Sequence, residues 1–558
     1  MSHPIGSYDY IIIGAGTAGC VLANRLSEDP GVKVLLIEAG GRDWSPYLHM
    51  PAGFARPLKS KRLNWGHQSD PEPFADNRVI NQPRGRVWGG SSSINRMVYT
   101  RGHALDYERW AEETGDPSWG YAHCLPYFRK AEDFPEIGDS PFHGRGGPLK
   151  VTRGNRWTPV YDAFIEAGQQ AGYPRTDDLN GEHQEGFGPL DMTVGQGRRS
   201  STATAYLHPI LRRVNLTFLS RSQVCAILVN SKGRTQGIDA MTPKGERKLR
   251  VTREVILAAG AINSPLLLML SGIGDPEILE DLNIPVISPL PGVGANLQDH
   301  PEVYIQYKCK TPQTLYGTQS GLRQASIARE WWSRGTGLGA TNHFEAGGFI
   351  RSESGVRHPN LKVHVRPTAA AYDGSDLKPM HAYQAHVGPV RPESRGRVVP
   401  YSDNPMERAR IQFNYLSTET DRREMRDAVK LTREIMTQPA LTPFNDGELA
   451  PGPDVTSDAD LDAWIRQTVQ SAHHPAGTCA MGPESDPMAV VDTWGRVRGV
   501  EGLRVIDASI MPSIVSGDLT APTIMLAEKI ADGIRGRDPE PPETVPVHIA
   551  EDWETKQR

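Results

Sequence analysis

Short apolar runs bounded by glycines open the chain and predict alternating strands and helices. The first run, YDYIIIG, is rich in β-branched and aromatic residues, and a helical stretch follows it through Leu26. A second apolar run, KVLLIE, ends at Glu38. Two short β-rich runs on either side of a helical stretch are typical of a strand–helix–strand unit. The pattern therefore predicts that the chain begins with an α/β fold.

The longest apolar run, VILAAGAINSPLLLML, extends from Val255 to Leu270. Asn263, Ser264 and Pro265 interrupt it, and it is shorter than the roughly 20 residues that a membrane-spanning helix needs. We therefore expect a buried strand, a turn and a helix here, and no integral membrane segment.

Two further helices are predicted in the second half of the chain. DRREMRDAVKLTREIM lies inside a β-rich and polar region that runs from Val303 to about Gly452. LRVIDASIMPSIVSGDLTAPTIMLAEKIADGIRG predicts a strand, a loop, and a helix that starts near Pro522 and is capped at Gly536. The Pro-rich, acidic segment 538–558 has no periodicity, and we expect a tail that is draped or disordered.

Composition excludes several classes of protein. Hydrophobic residues make up 38% of the 558 residues and charged residues 23%, which fits a globular protein. The formal net charge is −5 and no basic stripe is present, so nucleic acid is not an expected partner. The five cysteines form no CxxC, so neither a disulfide framework nor a zinc knuckle is expected. Because the amino terminus also lacks the pattern of a secretory signal, a cytoplasmic location is favoured.

A glycine motif after the first strand indicates a dinucleotide site. Gly14, Gly16 and Gly19 have GxGxxG spacing, which permits a tight turn, close approach of a pyrophosphate and close packing of helix on strand. Glu38 lies nineteen residues beyond Gly19, about where a carboxylate accepts hydrogen bonds from ribose hydroxyls. No second complete GxGxxG follows, so we expect one dinucleotide. FAD and NAD share this motif, and the local residues do not separate them.

A second chemical signal is SAHHPAGTCAMG, which begins at Ser471. Histidine is suited to proton transfer near neutral pH, but His473, His474, Cys479 and Met481 are also possible copper or zinc ligands. Cys and Met are in addition ordinary packing residues. The stretch by itself leaves a proton acceptor, a metal site and a core segment open.

Motifs along nearly the whole chain resemble those of the glucose–methanol–choline (GMC) oxidoreductases, flavoenzymes that oxidise alcohols. They include DYIIIGAGTAGCVLANRLSEDP, VWGGSSSINRMVYTRG, GAINSPLLLMLSGIG, HHPAGTCAMG and GLRVIDASIMP. Softer segments, such as ATNHFEAGGFIRS and YDGSDLKPMHAYQAHVGPVRPESRGRV, are most similar to bacterial members that oxidise choline.

The resemblance implies an α/β (mixed α+β) architecture in which a Rossmann-like FAD-binding domain is interleaved with a substrate-binding domain of β-sheet plus helices. The FAD-binding domain would comprise 1–150, 198–302 and 471–537, the substrate-binding domain 151–197 and 303–470, and the tail 538–558. The resemblance places FAD against Gly14, Gly16, Thr17, Ala18, Gly19, Glu38, Ala39, Trp88, Gly89, Gly90, Ser91, Asn95, Val98, Val224, Ala259, Asp507, Ala508, Thr520 and Pro522. Ile94 stands where relatives with covalent flavin have a histidine, so non-covalent FAD is expected.

The resemblance also implies roles at the reaction centre. His474 would be the catalytic base, with His473 beside it at the substrate. The second active-site residue, Asn or His in relatives, falls at Thr520, which could instead cap the following helix. Glu345 would face a cationic substrate group or be a buried carboxylate bonded to backbone. Arg96 stands where relatives often have a small residue and could crowd the flavin or repel a cation.

The leading hypothesis is therefore FAD-dependent oxidation of a primary alcohol to its aldehyde, with hydride transfer to flavin N5, in the manner of the choline-oxidising members. The alternative is a family oxidase or dehydrogenase for a neutral aryl, aliphatic or polyol alcohol. A third hypothesis is an electron-transfer protein with a metal at the His473–Met481 stretch. The expected electron acceptor is oxygen, a quinone or another carrier, a peripheral position at the inner membrane is compatible with a quinone, and the oligomeric state is open.

Overall fold

The computed structural model describes residues 6–370 and 379–558. It is a mixed α/β structure built on two large sheets. Residues 371–378 lie outside the described residues, and they include most of the YDGSDLKPM segment on which the resemblance to choline-oxidising members depended.

The first sheet has seven strands, in the order β3-β2-β1-β6-β5-β4, with β13 also paired to β6. β1, β2, β3, β6 and β13 pair in parallel, whereas β4, β5 and β6 form an antiparallel extension. The strands are β1 Ser7–Ile13, β2 Val34–Glu38, β3 Leu216–Ser220, β4 Gln223–Val229, β5 Thr235–Thr242, β6 Gly245–Leu257 and β13 Leu503–Val505.

The parallel strands explain where a ligand can bind. β2 is buried at every residue, as expected for a parallel strand covered on both faces. The carboxyl ends of β1, β2, β6 and β13 meet at one edge of the sheet. The loops that follow them start at Gly14, Ala39, Ala258 and Ile506. In open α/β sheets, ligands bind outside the carboxyl ends of the strands, so these loops mark the expected cofactor site.

The second sheet has six antiparallel strands, in the order β8-β9-β10-β7-β11, with β12 also paired to β7. The strands are β7 Pro301–Cys309, β8 Ala346–Ile350, β9 Leu361–Arg366, β10 Ala382–Pro389, β11 Asn445–Ala450 and β12 Gln470–Ser471. Shorter pairs lie outside both sheets: His67–Gln68 with Asn81–Gln82, Val98–Tyr99 and Thr152–Arg153 with Asp191–Met192, Glu132–Asp133 with Leu149–Lys150, Val194–Gly195 with Arg198–Arg199, Ile273–Gly274 with Ser288–Pro289, and Arg397–Pro400 with Ala409–Gln412.

Side chains alternate between the two faces of this second sheet. Val363, Val365 and Val387 belong to an apolar cluster with Met425 and Val429 of a long helix. The opposite face is polar: His364 pairs with His386, which pairs with Tyr304 of β7. One face of the sheet thus builds a core, and the other presents titratable side chains.

Twelve α-helices surround the sheets in the described part of the chain. They are α1 Thr17–Leu26, α2 Pro46–His49, α3 Ala55–Leu58, α4 Ala104–Thr114, α5 Tyr121–Ala131, α6 Pro159–Gln170, α7 Gly260–Leu270, α8 Pro276–Asp281, α9 Gly321–Arg334, α10 Glu419–Met436, α11 Asp458–Thr468 and α12 Thr520–Ile534.

Several sequence predictions agree with these elements. The opening unit is β1–α1–β2, the apolar run becomes the end of β6 followed by α7, and DRREMRDAVKLTREIM lies in α10. One detail differs, since the last helix begins at Thr520 rather than near Pro522. Its cap agrees with the prediction: Gly536 follows the helix with φ +66°, its N–H donates to Gly533, and the N–H of Arg537 donates to Asp532, as in a Schellman motif. The tail is draped, since the backbone N–H of His548 donates to Glu182 and that of Gly355 to Trp553. None of the described helices combines the length and apolar character required to cross a membrane.

Candidate active site

A cavity of about 570 Å³ lies between the carboxyl edge of the first sheet and the polar face of the second. At one end it is lined by the glycine turn after β1 and by the end of β2. At the other end it is lined by His473, His474 and polar side chains of β7, β9 and β10. The cavity therefore extends from the dinucleotide motif to the two histidines.

The glycine turn leaves no room for side chains. Gly14 has φ +100°, and a Cβ there would lie 2.6 Å from the carbonyl oxygen of Ala258. A Cβ on Gly90 would lie 2.7 Å from the Cα of Gly16, so the loop that contains Gly90 packs directly on the turn. Gly19 packs on the carbonyl of Gly14, as the third glycine of the motif is expected to do. This narrow backbone cradle suits a pyrophosphate.

Glu38 ends β2 at the cavity wall. Its carboxylate accepts hydrogen bonds from the backbone N–H groups of Ala15 at 2.9 Å and Gly40 at 2.7 Å. Burial raises the pKa of Glu38 to about 7, against the lowering effect of these two N–H groups. The carboxylate thus fixes the turns after β1 and β2 and lies where the sequence predicts a ribose contact.

Most of the predicted cofactor residues line the cavity. They are Gly14, Gly16, Thr17, Ala18, Glu38, Ala39, Gly90, Ser91, Asn95, Val98, Val224, Ala259, Asp507, Ala508 and Thr520. Four are not part of its lining: Gly19, Trp88, Gly89 and Pro522. Pro522 is buried within α12, and the indole of Trp88 donates to Ser220 at 2.8 Å and packs against Phe218. These two side chains support neighbouring elements instead of facing the cavity.

Two ionic side chains hold the cavity-lining loops in place. Asp507 accepts the backbone N–H of Gly260 at 2.8 Å and the hydroxyl of Ser264 at 2.6 Å, which joins the end of β13 to the start of α7. Arg199 donates to the carbonyl of Asn95 at 2.9 Å and to its side-chain oxygen at 2.6 Å. Arg199 therefore holds the loop that contains Ile94 in place.

At the other end of the cavity, His474 contacts two titratable groups. Its Nδ1 lies 3.0 Å from Nδ1 of His300, and its Nε2 lies 3.2 Å from Oδ1 of Asp518. Asp299 accepts the backbone N–H of His474 at 2.7 Å and that of His300 at 2.9 Å. Because Pro301 of β7 pairs with Ser471 of β12, strand pairing brings these two histidine segments together.

Asp518 is held by a cation on the second sheet. Lys362 of β9 donates to Oδ2 of Asp518 at 2.6 Å, and the hydroxyl of Thr100 donates to the same oxygen. Burial would raise the pKa of Asp518, but Lys362 and His474 outweigh it and hold the pKa well below its usual range. Asp518, whose side chain is 15% exposed, is therefore a carboxylate anion beside His474.

A second ion pair lines the same end. Glu302, at the start of β7, accepts from Arg96 at 3.2 Å and from the hydroxyl of Tyr304 at 3.0 Å, and its carboxylate lies 3.4 Å from Nδ1 of His386. Burial would raise the pKa of Glu302, but His386 and Arg96 hold it well below its usual range. The carboxylate is thus charged and already paired with a guanidinium.

Glu345 is a correction to the sequence interpretation, because it does not belong to the cavity lining. Its carboxylate accepts hydrogen bonds from the hydroxyl of Thr341 and from the backbone N–H of Arg156. Burial raises its pKa. Glu345 is the buried, backbone-bonded carboxylate that the sequence left as an alternative, and the carboxylate that faces the cavity is Glu302.

Thr520 also differs from expectation. α12 begins at Thr520 itself, its N-cap is Leu519, and the cap has no side-chain hydrogen bond, so the cap interpretation of Thr520 is wrong. Its hydroxyl instead accepts from Nδ2 of Asn95 at 3.2 Å at the cavity wall. The group that contacts His474 from this segment is Asp518, two residues earlier.

The metal hypothesis for SAHHPAGTCAMG is wrong as well. Cys479 and Met481 are buried in the core of the first sheet, and burial raises the pKa of the Cys479 thiol well above its usual range. Within the described residues, the acidic and histidine groups close enough to share a metal are Glu302, His364 and His386. The guanidinium of Arg96 lies 3.2 Å from the carboxylate of Glu302, so the anionic member of this group is already paired with a cation.

Comparison with known proteins identifies the family. Two profiles described as GMC oxidoreductase match residues 8–302 and 392–527. The chain belongs to the GMC oxidoreductase family. It is 52% identical to an oxygen-dependent choline dehydrogenase of Paraburkholderia phymatum over 97% of this chain and 95% of that protein. It is also 52% identical to the mitochondrial choline dehydrogenase of Homo sapiens, over 97% of this chain and 92% of that protein.

Solved structures agree. The crystal structure of pyridoxine 4-oxidase from Mesorbium loti matches with a TM-score of 0.86 at 32% identity and covers 95% of this chain and all of that chain. This GMC oxidoreductase is therefore an FAD-dependent flavoprotein that acts on CH–OH donors in the manner of the choline dehydrogenases. The backbone cradle at Gly14, Gly16 and Gly90, with Glu38 at its end, fits the dinucleotide part of FAD.

The position of Ile94 leads to a prediction about the cofactor. Ile94 lines the cavity and packs against Leu48 and Val87, and its side chain cannot form a covalent bond to a flavin. We expect acid precipitation of the yellow holoenzyme to release all of the flavin into the supernatant. Flavin absorbance that stays with the washed, denatured pellet would contradict non-covalent binding.

Proposed function

We propose that this GMC oxidoreductase converts a primary alcohol to its aldehyde and that His474 accepts the hydroxyl proton. The observation that supports this role is that His474 and Asp518 both line the cavity. Nδ1 of His474 contacts His300, and Nε2 of His474 contacts Asp518. A base must reach the substrate hydroxyl within hydrogen-bond distance, and His474 lines the cavity together with its carboxylate partner Asp518.

Bound FAD supplies the acceptor for a hydride from the alcohol carbon. The chain supplies the rest: Asp299 fixes the backbone of both histidines, His474 accepts the proton at Nε2, and the polar face of the second sheet surrounds the alcohol. The glycine cradle and Glu38 would hold the dinucleotide part of the cofactor. Oxidation is easier when the hydroxyl proton leaves to a positioned base.

For the substrate, we propose a primary alcohol with a quaternary ammonium group of the choline type. Curated relatives near 50% identity over almost the full chain are choline dehydrogenases, and Glu302 provides a charged, buried carboxylate at the cavity wall. A carboxylate attracts such a cation by Coulomb interaction.

One observation favours a neutral primary alcohol as a second candidate. Arg96 pairs with Glu302, and Lys362 pairs with Asp518, so both carboxylates at this end of the cavity already have a cationic partner. A substrate cation would have to compete with Arg96 for Glu302. A neutral alcohol would leave both ion pairs intact.

A panel of alcohols tests the proposal. Choline, its neutral isostere 3,3-dimethylbutanol, benzyl alcohol and glycerol would each be mixed with the oxidised holoenzyme, with oxygen and with an artificial electron acceptor. We expect choline to give the highest kcat/KM. A higher value for 3,3-dimethylbutanol would instead establish the neutral-alcohol reading, and no reduction of the flavin by any primary alcohol would reject the proposed function.

A further inference from the structure

The hydrogen bonds around His474 determine where its protons lie. The carbonyl oxygen of Val390 lies 3.0 Å from Nε2 of His300, and a carbonyl only accepts, so Nε2 of His300 carries hydrogen. Burial, with smaller contributions from His474 and Lys362, lowers the pKa of His300 to about 3, so this imidazole is neutral. Its Nδ1 is therefore an acceptor.

This tautomer of His300 determines which nitrogen of His474 carries a hydrogen. Nδ1 of His474 lies 3.0 Å from Nδ1 of His300 and must be the donor in that contact. If His474 is neutral, its Nε2 then has only a lone pair. That lone pair would face Oδ1 of Asp518 at 3.2 Å, and two acceptors at this distance repel each other. The contact therefore needs one proton between Nε2 of His474 and Asp518.

We propose that His474 and Asp518 act as one proton-accepting pair, in which the carboxylate stabilises the imidazolium and Lys362 positions the carboxylate. Asp518 is a positioning residue, because it acts through His474. This inference rests on the proposed function, since it concerns the same proton. It assigns to Asp518 the place beside the base that the family resemblance implied for Thr520.

The resting pair first releases its proton to solvent, which frees Nε2 of His474. The O–H bond of the alcohol would then break as its proton takes the vacated position at Nε2 of His474, beside Asp518. FAD, when bound, would take up the hydride from the alcohol carbon, which leaves the aldehyde. The positive charge that develops on His474 lies next to the anion of Asp518, so the product side of the proton transfer is stabilised.

Other charged groups around His474 must be considered in its pH dependence. His300 and Asp299 face it from the segment before β7, Lys362 from β9, and His473 from its own segment. Burial and the nearby Arg96 and Arg84 hold the pKa of His473 well below its usual range, so His473 stays neutral. Of these groups, Asp299, Asp518 and Lys362 are ionic; Asp299 contacts the backbone of His474, whereas Asp518 and its partner Lys362 lie on the side of Nε2.

Two substitutions should act in opposite directions. Asp518→Asn keeps the shape and removes the anion, so the imidazolium is less stable and the rising limb of the pH profile of kcat/KM should move down by about one pH unit or more, the usual effect of one nearby opposite charge. Lys362→Met removes a cation and leaves Asp518 freer to stabilise the imidazolium, so the limb should move up. Glu345→Gln, which removes a buried carboxylate outside the cavity, should leave it in place.

A readout independent of turnover completes the test. In the oxidised holoenzyme labelled with ¹⁵N-histidine, the ring signals lost in His474→Gln should titrate at lower pH in Asp518→Asn and at higher pH in Lys362→Met. Unchanged titration and an unmoved limb in either folded variant would overturn the pair. If no alcohol reduces the enzyme, the proposed function fails, while the ring titration still decides whether the pair exists. If Asp518→Asn does not fold, the titration and the pH limb of Lys362→Met alone decide whether the pair exists.

Discussion

His474→Ala should slow reduction of the bound flavin by alcohol by roughly 100-fold or more, the usual range for loss of general base catalysis. The alanine removes the group that accepts the hydroxyl proton, while Asp299 can still accept the backbone N–H at this position. The measurement is a single-turnover, anaerobic stopped-flow experiment that follows the flavin absorbance. His474→Gln, which keeps a polar side chain but cannot accept a proton near neutral pH, should be similarly slow.

His473 provides the matched control. It also lines the cavity, but its backbone has φ +69° and its Nδ1 has no hydrogen-bond partner within the described structure. Asn tolerates this left-handed conformation well, so His473→Asn removes the imidazole without adding backbone strain. We expect a much smaller loss than in His474→Ala. A slower His473→Asn variant would transfer the role of base to His473.

The cofactor end of the site could be predicted from sequence because its signal is local. Gly14, Gly16 and Gly19 act within one turn, and Glu38 ends the next strand of the same unit. These residues are close in the sequence and therefore also close in the structure. Four predicted residues, Gly19, Trp88, Gly89 and Pro522, do not line the cavity. The side chains of Trp88 and Pro522 pack into supporting elements, since a motif does not say which way each side chain faces.

The reaction end was predicted only in part, because pairing between distant strands assembles it. Glu302 and His474 come together through the pairing of β7 with β12, and Lys362 reaches Asp518 from β9. A signal was present: in PEVYIQY and LKVHVR polar residues alternate with apolar ones, which places Glu302 and Lys362 on polar faces of strands. The sequence alone does not give the pairing register of these strands, and that register decides whether their polar faces line the same cavity.

The acidic residue chosen from sequence shows the same limit. Glu345 lies directly before β8 in an apolar context, and a carboxylate in such a place can face a ligand or bond to nearby backbone. The structure has the second arrangement, with Thr341 and the backbone of Arg156 as its donors. Deciding between these alternatives requires knowing which segment packs opposite, and Arg156 is far away in sequence.

Glu302→Gln should discriminate sharply between a cationic and a neutral alcohol. At about 4 Å and an effective dielectric near 20, a carboxylate and a cation interact by about 4 kcal/mol before desolvation costs. Arg96 already offsets part of this charge at 3.2 Å. We therefore expect kcat/KM for choline to fall at least roughly tenfold more than kcat/KM for 3,3-dimethylbutanol, which corresponds to about 1.4 kcal/mol of differential binding.

Two further variants make this result specific. Glu345→Gln removes a buried carboxylate outside the cavity, so the ratio of the two kcat/KM values should stay at its wild-type value. Arg96→Leu removes the competing guanidinium, so the ratio should move toward choline, opposite in sign to Glu302→Gln. If Glu302→Gln reduces both substrates equally and Arg96→Leu leaves the ratio unchanged, Glu302 serves only to hold Arg96, Tyr304 and His386 in place. The cavity is then built for a neutral alcohol, because among the described residues the other carboxylate at this end, Asp518, is already paired with Lys362.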